Sequence, residues 1–116
     1  MITVEVVEAN AAAEEADLRI SDGRLAFLCF AHPWNPSMDG NISLYFLLGC
    51  RDIERCQVGD EIRTLSGYRH EIRGVVVRQG GREIKVGPFV FECDLPLPKD
   101  LLTGETVRLE CERIGT

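Results

Sequence analysis

Apolar and polar residues alternate along much of the chain, with the period of a β-strand that buries one face. Ile2, Val4 and Val6 begin this pattern, and residues 107–111 repeat it near the end. In residues 25–31 both alternating sets are apolar, which predicts a central strand covered on both sides. About eight short segments of this kind are separated by turn signals.

The predicted fold class is therefore all-β with a minor helical part, as a small antiparallel barrel or sandwich of about eight short strands. A Greek-key barrel of the oligonucleotide-binding type is one candidate architecture, although a fold alone does not define a function. No internal repeat or linker interrupts residues 1–116, which predicts a single β-rich domain.

Glycine-containing dipeptides predict where the chain reverses direction. The Asp-Gly pair at 22–23 and the Gly-Gly pair at 80–81 each separate two apolar runs, and both tolerate the positive φ values of a tight hairpin turn. At the Gly-Pro pair 87–88 the apolar positions change parity, which predicts a bulge or a bend.

Helix is predicted only in short pieces. Residues 10–16 combine an asparagine cap with alanines and early acidic residues, which favours one or two helical turns. Residues 99–104 are predicted to form one turn that a glycine ends. Residues 51–57 are charged and predicted to be irregular, with a helical turn as the alternative.

Composition indicates a soluble cytoplasmic protein. Hydrophobic residues make up 45% of the chain and charged residues 28%, which is ordinary for a globular domain. The longest apolar stretch is far too short to cross a bilayer, so no membrane association is predicted. The start resembles no secretory signal, and five cysteines in mostly apolar surroundings fit a reducing compartment.

Charge is unevenly distributed. The net charge of −6 disfavours generic binding to nucleic acid, because that affinity comes from basic residues that displace counterions. Residues 63–85 nevertheless contain six basic and only two acidic residues. This basic window spans the hairpin predicted around residues 80–81.

The first candidate binding site is the loop that follows residues 25–31. It contains His32, the only tryptophan Trp34, and Asn35, with a proline on each side of the Trp-Asn pair. A stiff loop that presents tryptophan is a good anchor for a protein partner. The alternative is that Trp34 folds back and closes the open end of the core.

The second candidate site is the basic window. Its arginines could contact an acidic partner in bidentate fashion, or follow a nucleic-acid backbone with Tyr45, Tyr68 or Trp34 as stacking platforms. The alternative is a solvated strand face whose arginines pair with acidic residues. The candidate binding residues in this window are Arg63, Arg69, Arg73, Arg78 and Arg82.

Catalytic and metal-binding patterns are weak. The cysteines lack the paired spacing of a structural zinc site, so no metal is predicted. No family signature surrounds a Cys-His pair, and no phosphate-binding glycine loop is present. The sequence therefore disfavours an enzyme and indicates no cofactor.

Two functions follow from these patterns. The leading hypothesis is a noncatalytic protein-interaction module with a protein partner, bound through the Trp34 loop or the basic hairpin. The alternative is a single-stranded nucleic-acid-binding barrel that uses the basic hairpin and the nearby aromatic residues.

Overall fold

The structure is a computed structural model that describes residues 2–34 and 44–116. These residues form eleven β-strands and no helix, so the predicted all-β class is confirmed. The strands, in chain order, are β1 (Thr3–Asn10), β2 (Glu15–Ser21), β3 (Ala26–Ala31), β4 (Tyr45–Leu48), β5 (Arg51–Arg55), β6 (Glu61–Ser66), β7 (Arg69–Val76), β8 (Glu83–Val86), β9 (Phe89–Cys93), β10 (Thr106–Cys111) and β11 (Arg113–Gly115).

The strands hydrogen-bond into one mixed sheet in the order β1-β2-β3-β11-β4-β9-β8-β7-β10-β5, and β6 pairs with β7 beside this path. Antiparallel pairs dominate, as predicted, but β11 runs parallel to β3 and β4 runs parallel to β9. The two ends of the path, β1 and β5, do not pair with each other within the described residues. The sheet is therefore open: among the described residues β1 and β5 are edge strands at the ends of the path, and β6 is also paired on one side only.

A cluster of aromatic rings forms the centre of the core. Phe27 lies with its ring centroid 5.0 Å from that of Tyr45, 5.1 Å from that of Phe89 and 5.2 Å from that of Phe91. All four side chains are buried, and they come from three strands. Edge-to-face contacts of this kind stabilise a core beyond the area that they bury. This cluster joins β3 to the β4–β9 pair.

The hairpin predicted at residues 22–23 is confirmed, and its turn is held by a side chain. β2 and β3 pair antiparallel on either side of it. Asp22 Oδ1 accepts hydrogen bonds from the backbone N–H groups of Arg24 at 2.9 Å and Leu25 at 2.6 Å. These bonds are those of an aspartate-led turn. The predicted central position of β3 is confirmed, because it lies between β2 and β11, but the side chains on its outward face are half-buried rather than fully covered.

The hairpin around residues 80–81 is confirmed, because β7 and β8 pair antiparallel across it, but its connection spans residues 77–82 and is not the predicted tight turn. The Gly-Pro pair at 87–88 makes a complete reversal. Val86 pairs with Phe89, and Gly87 has a φ of 55°. The apolar positions change parity there because a two-residue turn separates β8 from β9, and not because a strand bulges.

The helix predicted over residues 10–16 is wrong. β1 continues through Asn10, β2 begins at Glu15, and the residues between them form a turn. The Asn10 side chain does cap this turn, since its Oδ1 accepts a hydrogen bond from the Ala13 N–H at 3.2 Å. So short a helix is marginal without packing, and pairing of two flanking strands outweighs the helix propensity of three alanines.

Two other local predictions also fail. Residues 99–104 form turns without a helix, and Leu101 N–H donates to the Pro98 carbonyl at 3.1 Å. The charged segment predicted to be irregular contains β5, which pairs with β10 and exposes most of its side chains. Together with β11, β5 accounts for part of the difference between eleven observed strands and the predicted eight.

Candidate functional site

The Trp34 loop does not present its tryptophan to solvent. The Trp34 side chain is 9% exposed and belongs to the hydrophobic core, and its backbone N–H donates to the Glu14 carbonyl at 2.7 Å. This position matches the alternative in which Trp34 folds back onto the core. His32 is exposed, and Asn35 lies outside the described residues. Residues 32–34 therefore connect β3 to the β1–β2 turn, and among these three His32 and Pro33 are exposed.

Three of the five candidate arginines lie within a network of ion pairs. Its centre is Glu71, whose side chain is only 3% exposed and lies 3.0 Å from nitrogens of Arg63, Arg73 and Arg108. We call the outward surface of β5, β10, β7 and β6 the ionic face; its charged members are Glu54, Glu61, Arg63, Arg69, Glu71, Arg73, Arg108 and Glu110. Four positive and four negative charges are thus interleaved on one surface.

Hydrogen bonding keeps Glu71 ionised despite its burial. Loss of solvent raises the pKa of this carboxyl, but hydrogen bonds from Arg73 and Arg108 outweigh that effect and hold the pKa below its usual value. The arginines are accordingly neutralised by a buried acid and its neighbours. This is the solvated, paired strand face that the sequence offered as an alternative to a binding site.

The other two candidate arginines lie elsewhere. Arg78 and Arg82 are exposed at the turn between β7 and β8, and Arg82 Nη1 donates to the Asp94 carbonyl at 3.1 Å. The first three arginines lie on the ionic face, and Arg69 is the first residue of β7. Arg78 and Arg82 instead follow the opposite end of β7. The structure does not bring them together as one basic surface.

The expected stacking platforms are also separated. Tyr45 is buried in the core, whereas Tyr68 is 40% exposed. Tyr68 Oη donates to Asp17 Oδ2 at 2.6 Å, which ties it to β2. Of the two tyrosines, only Tyr68 is exposed for stacking, and nucleic-acid binding by the basic hairpin stays a prediction.

His70 has a structural role. It is fully buried, its Nδ1 lies 2.8 Å from the Tyr68 carbonyl, and its Nε2 accepts the Leu28 N–H at 3.3 Å. This pattern requires a neutral ring protonated on Nδ1. Burial lowers the pKa of His70, and the hydrogen bond to Tyr68 opposes that effect only in part. The imidazole thus bridges β7 and β3.

Lowering the pH is expected to destabilise the protein through His70. An unfolded histidine binds a proton as the pH falls below about 6.5, while the folded state resists it, so the free energy of unfolding decreases in that range. One proton limits the slope to about 1.4 kcal/mol per pH unit. Urea denaturation at several pH values between neutrality and about 5.5 measures this slope. It should be reduced in His70→Gln and unchanged in the exposed control His32→Gln; equal slopes in all three proteins would contradict the assignment.

The three buried cysteines, Cys29, Cys93 and Cys111, are poor nucleophiles. Burial raises the pKa of the Cys29 and Cys111 thiols to about 12. A hydrogen bond with Cys50, together with burial, raises the pKa of Cys93. A reactive cysteine needs the opposite shift, since the thiolate is the nucleophile. Among the described residues, no group of histidine, cysteine and acidic side chains is arranged to hold a metal ion.

β1 and β2 form a hairpin that we call the first hairpin. A groove of about 270 Å³ lies on its outward side, at the end near its turn. Strand register explains how it forms: Glu8 pairs with Asp17, and Asp17 pairs with Phe30, so these three outward positions lie in one row across β1, β2 and β3. Tyr68 closes the row through its hydrogen bond to Asp17. The guanidinium of Arg113 lies 5.0 Å from the Phe30 ring centroid beside it.

The edge strand β1 borders this groove and is exposed on both faces. Val6 is 48% exposed, Val7 is 57% exposed, and Ile2, just before the strand, is 42% exposed. Within residues 2–34 and 44–116, β1 pairs with β2 alone, so its outer backbone edge faces no strand. The register shifts between Val6 and Glu8, which places Val7 at an irregularity. The alternating pattern predicted β1, but nothing local in the sequence predicted that it would be an edge.

Comparisons with protein-family models, with curated proteins and with solved structures find no match. The described residues contain no helix long and apolar enough to cross a membrane. The features available for assigning a function are therefore the open all-β sheet, the groove and the edge strand β1.

Proposed function

We propose that this protein is a noncatalytic protein-interaction module and that its contact surface is the open edge of β1. The observation that carries the proposal is the eight-residue β1, which is paired on one side only and exposes Val6 and Val7. An open edge with apolar side chains is a template for strand addition, in which main-chain hydrogen bonds supply affinity and side chains supply specificity.

The chemistry of the described residues supports binding over catalysis. The buried histidine is used to join two strands, and the buried thiols have raised pKa values. The buried acid is neutralised by three arginines. Every buried polar side-chain nitrogen and oxygen in the described residues has a hydrogen-bond partner within the chain, so none of these atoms needs a substrate to complete its hydrogen bonding.

Capture of a protein partner should depend on β1. We expect Val7→Lys to reduce binding of the partner by at least about tenfold, because a lysine on an edge strand opposes strand addition. The matched control is Val58→Lys, since Val58 is 59% exposed and lies outside the sheet. The measurement is quantitative capture from the source cells with the full chain as bait, followed by calorimetry with the purified partner.

Two results would refute this function. One is that no protein binds the parent chain above the level of an unrelated bait. The other is that Val7→Lys and Val58→Lys bind the partner equally well.

A further inference from the structure

The inward side of β1 extends the apolar surface of the core. Val4 is opposite Ile20 and Val6 is opposite Leu18, and both β2 residues are buried. Val4 and Val6 therefore face the same side as the core, but at the margin of the sheet where Val6 remains about half exposed. A strand added outside β1 would place every second side chain next to this apolar row.

The outward side of β1 is acidic. Glu5 is opposite Arg19, which is exposed, and Glu8 is opposite Asp17 in the wall of the groove. The groove adds Phe30 and Tyr68 to these acids. A basic side chain from an added strand would meet carboxylates and aromatic rings there, and both stabilise a cation.

The first hairpin carries more negative than positive charge. Residues 3–21 contain five acidic residues and one basic residue. In the described part of the chain, none of these acids forms an ion pair. On the ionic face, by contrast, every charged side chain has a partner of opposite charge. The contrast indicates that the first hairpin retains charge that a partner can complement.

A second copy of this chain is a poor occupant of the same edge. Antiparallel pairing of two β1 strands would bring two acidic hairpins side by side, and like charges that face each other across strands are destabilising. Charge complementarity favours a different, basic strand.

Resting on the proposed interaction function, we propose that the partner is an extended protein segment in which basic and apolar residues alternate. It pairs with the outer edge of β1. Its apolar side chains lie beside Val4 and Val6, and its lysines or arginines lie beside Glu5 and Glu8. The groove then receives the basic side chain nearest the β1–β2 turn.

Three synthetic ten-residue peptides test the chemistry directly. In each, valine alternates with lysine, threonine or glutamate, and both ends are blocked. Each peptide is titrated into the isotope-labelled full chain, and backbone amide shifts locate the contact and give the dissociation constant.

We expect the valine-lysine peptide to shift the amides of β1 and to bind at least about tenfold more tightly than the valine-threonine peptide. The valine-glutamate peptide should bind most weakly. Added salt should weaken only the valine-lysine complex strongly, since exposed charges are screened beyond about 10 Å at 0.1 M ionic strength.

Two charge-reversal variants distinguish the effect of the groove on binding from the effect of the overall charge of the protein. Glu8→Lys should weaken the valine-lysine complex by at least about tenfold. The control Glu83→Lys makes the same change in charge at an exposed position on β8 and should have a much smaller effect.

The alternative outcomes are distinct. Equal binding of the three peptides at β1 would overturn the basic-segment proposal while leaving the interaction function in place. The basic-segment proposal is also overturned if no peptide shifts β1 but a captured protein still depends on Val7. Shifts of β1 that grow with the concentration of the chain alone would identify a second copy as the occupant and overturn the proposal.

Discussion

Phe27→Ala is expected to lower the free energy of unfolding by about 4 kcal/mol, the range found when a buried phenylalanine is truncated. Its ring touches those of Tyr45, Phe89 and Phe91, with centroids 5.0 to 5.2 Å away, and it is 2% exposed. Removing it leaves a cavity at the point where β3 packs against the β4–β9 pair. A domain of this size has a total stability of about 5–15 kcal/mol, so the substitution should remove a large fraction of it.

Chemical denaturation with urea, followed by circular dichroism, measures this loss. The matched control is Phe46→Ala, because Phe46 is 38% exposed on the outward face of β4. We expect the control to cost about 1 kcal/mol. A similar cost for both substitutions would mean that Phe27 is not the centre of the core.

Alternation along the sequence predicted which residues of the strands are buried, because that pattern depends only on the local period of two. The inward set of β3, which includes Phe27, and the inward set of β10 are examples. The positions of the hairpins were predictable for the same reason, since turn residues such as Asp-Gly and Gly-Gly act locally, although the Gly-Gly pair did not predict the length of its loop. Features that depend on neighbouring residues could therefore be predicted from the chain.

Strand order was not predictable in this way. The two parallel pairs join strands far apart in the sequence, β3 with β11 and β4 with β9. The ionic face depends on the same long-range register: Arg73 is opposite both Glu61 and Arg108 because β7 pairs with β6 on one side and β10 on the other. The basic window looked like a surface for an anion because the sequence does not show that Glu71, inside the window, is shared by Arg63 and Arg73, or that Glu110 on β10 pairs with Arg69.

The candidate site changed for a related reason. Trp34 and the arginines have distinctive side chains, but their exposure and pairing depend on tertiary packing. Trp34 packs in the core, and three of the arginines form ion pairs within the chain. The edge of β1 carries ordinary residues whose importance comes only from their position at the end of the sheet. Alanines and acids that favoured a helix instead form the turn beside the groove.

Glu71→Gln is expected to lower the free energy of unfolding by about 2 kcal/mol, because the neutral amide leaves Arg63, Arg73 and Arg108 close together without their shared counter-charge. The exposure of the arginines to solvent keeps the loss below that of a fully buried ion pair. Glu54→Gln is the matched control: Glu54 lies on the same face, 3.6 Å from Arg108, but is 65% exposed. Glu54→Gln should lower the free energy of unfolding by no more than about 0.5 kcal/mol.

The pH dependence provides an independent check on Glu71. Its carboxyl has a folded-state pKa below the ordinary value of 4.5, so its contribution is present above that pH and is lost as the pH falls through the folded-state pKa. The parent should therefore lose stability on acidification below about pH 4.5 more steeply than Glu71→Gln does. The loss of stability from His70 begins below its ordinary pKa of 6.5, whereas the loss from Glu71 begins only below 4.5, so the two groups are distinguished by the pH at which each loss begins. Parallel acid profiles for the parent and Glu71→Gln would show that the arginines of the ionic face do not depend on Glu71, and would make them available again as residues that bind a partner.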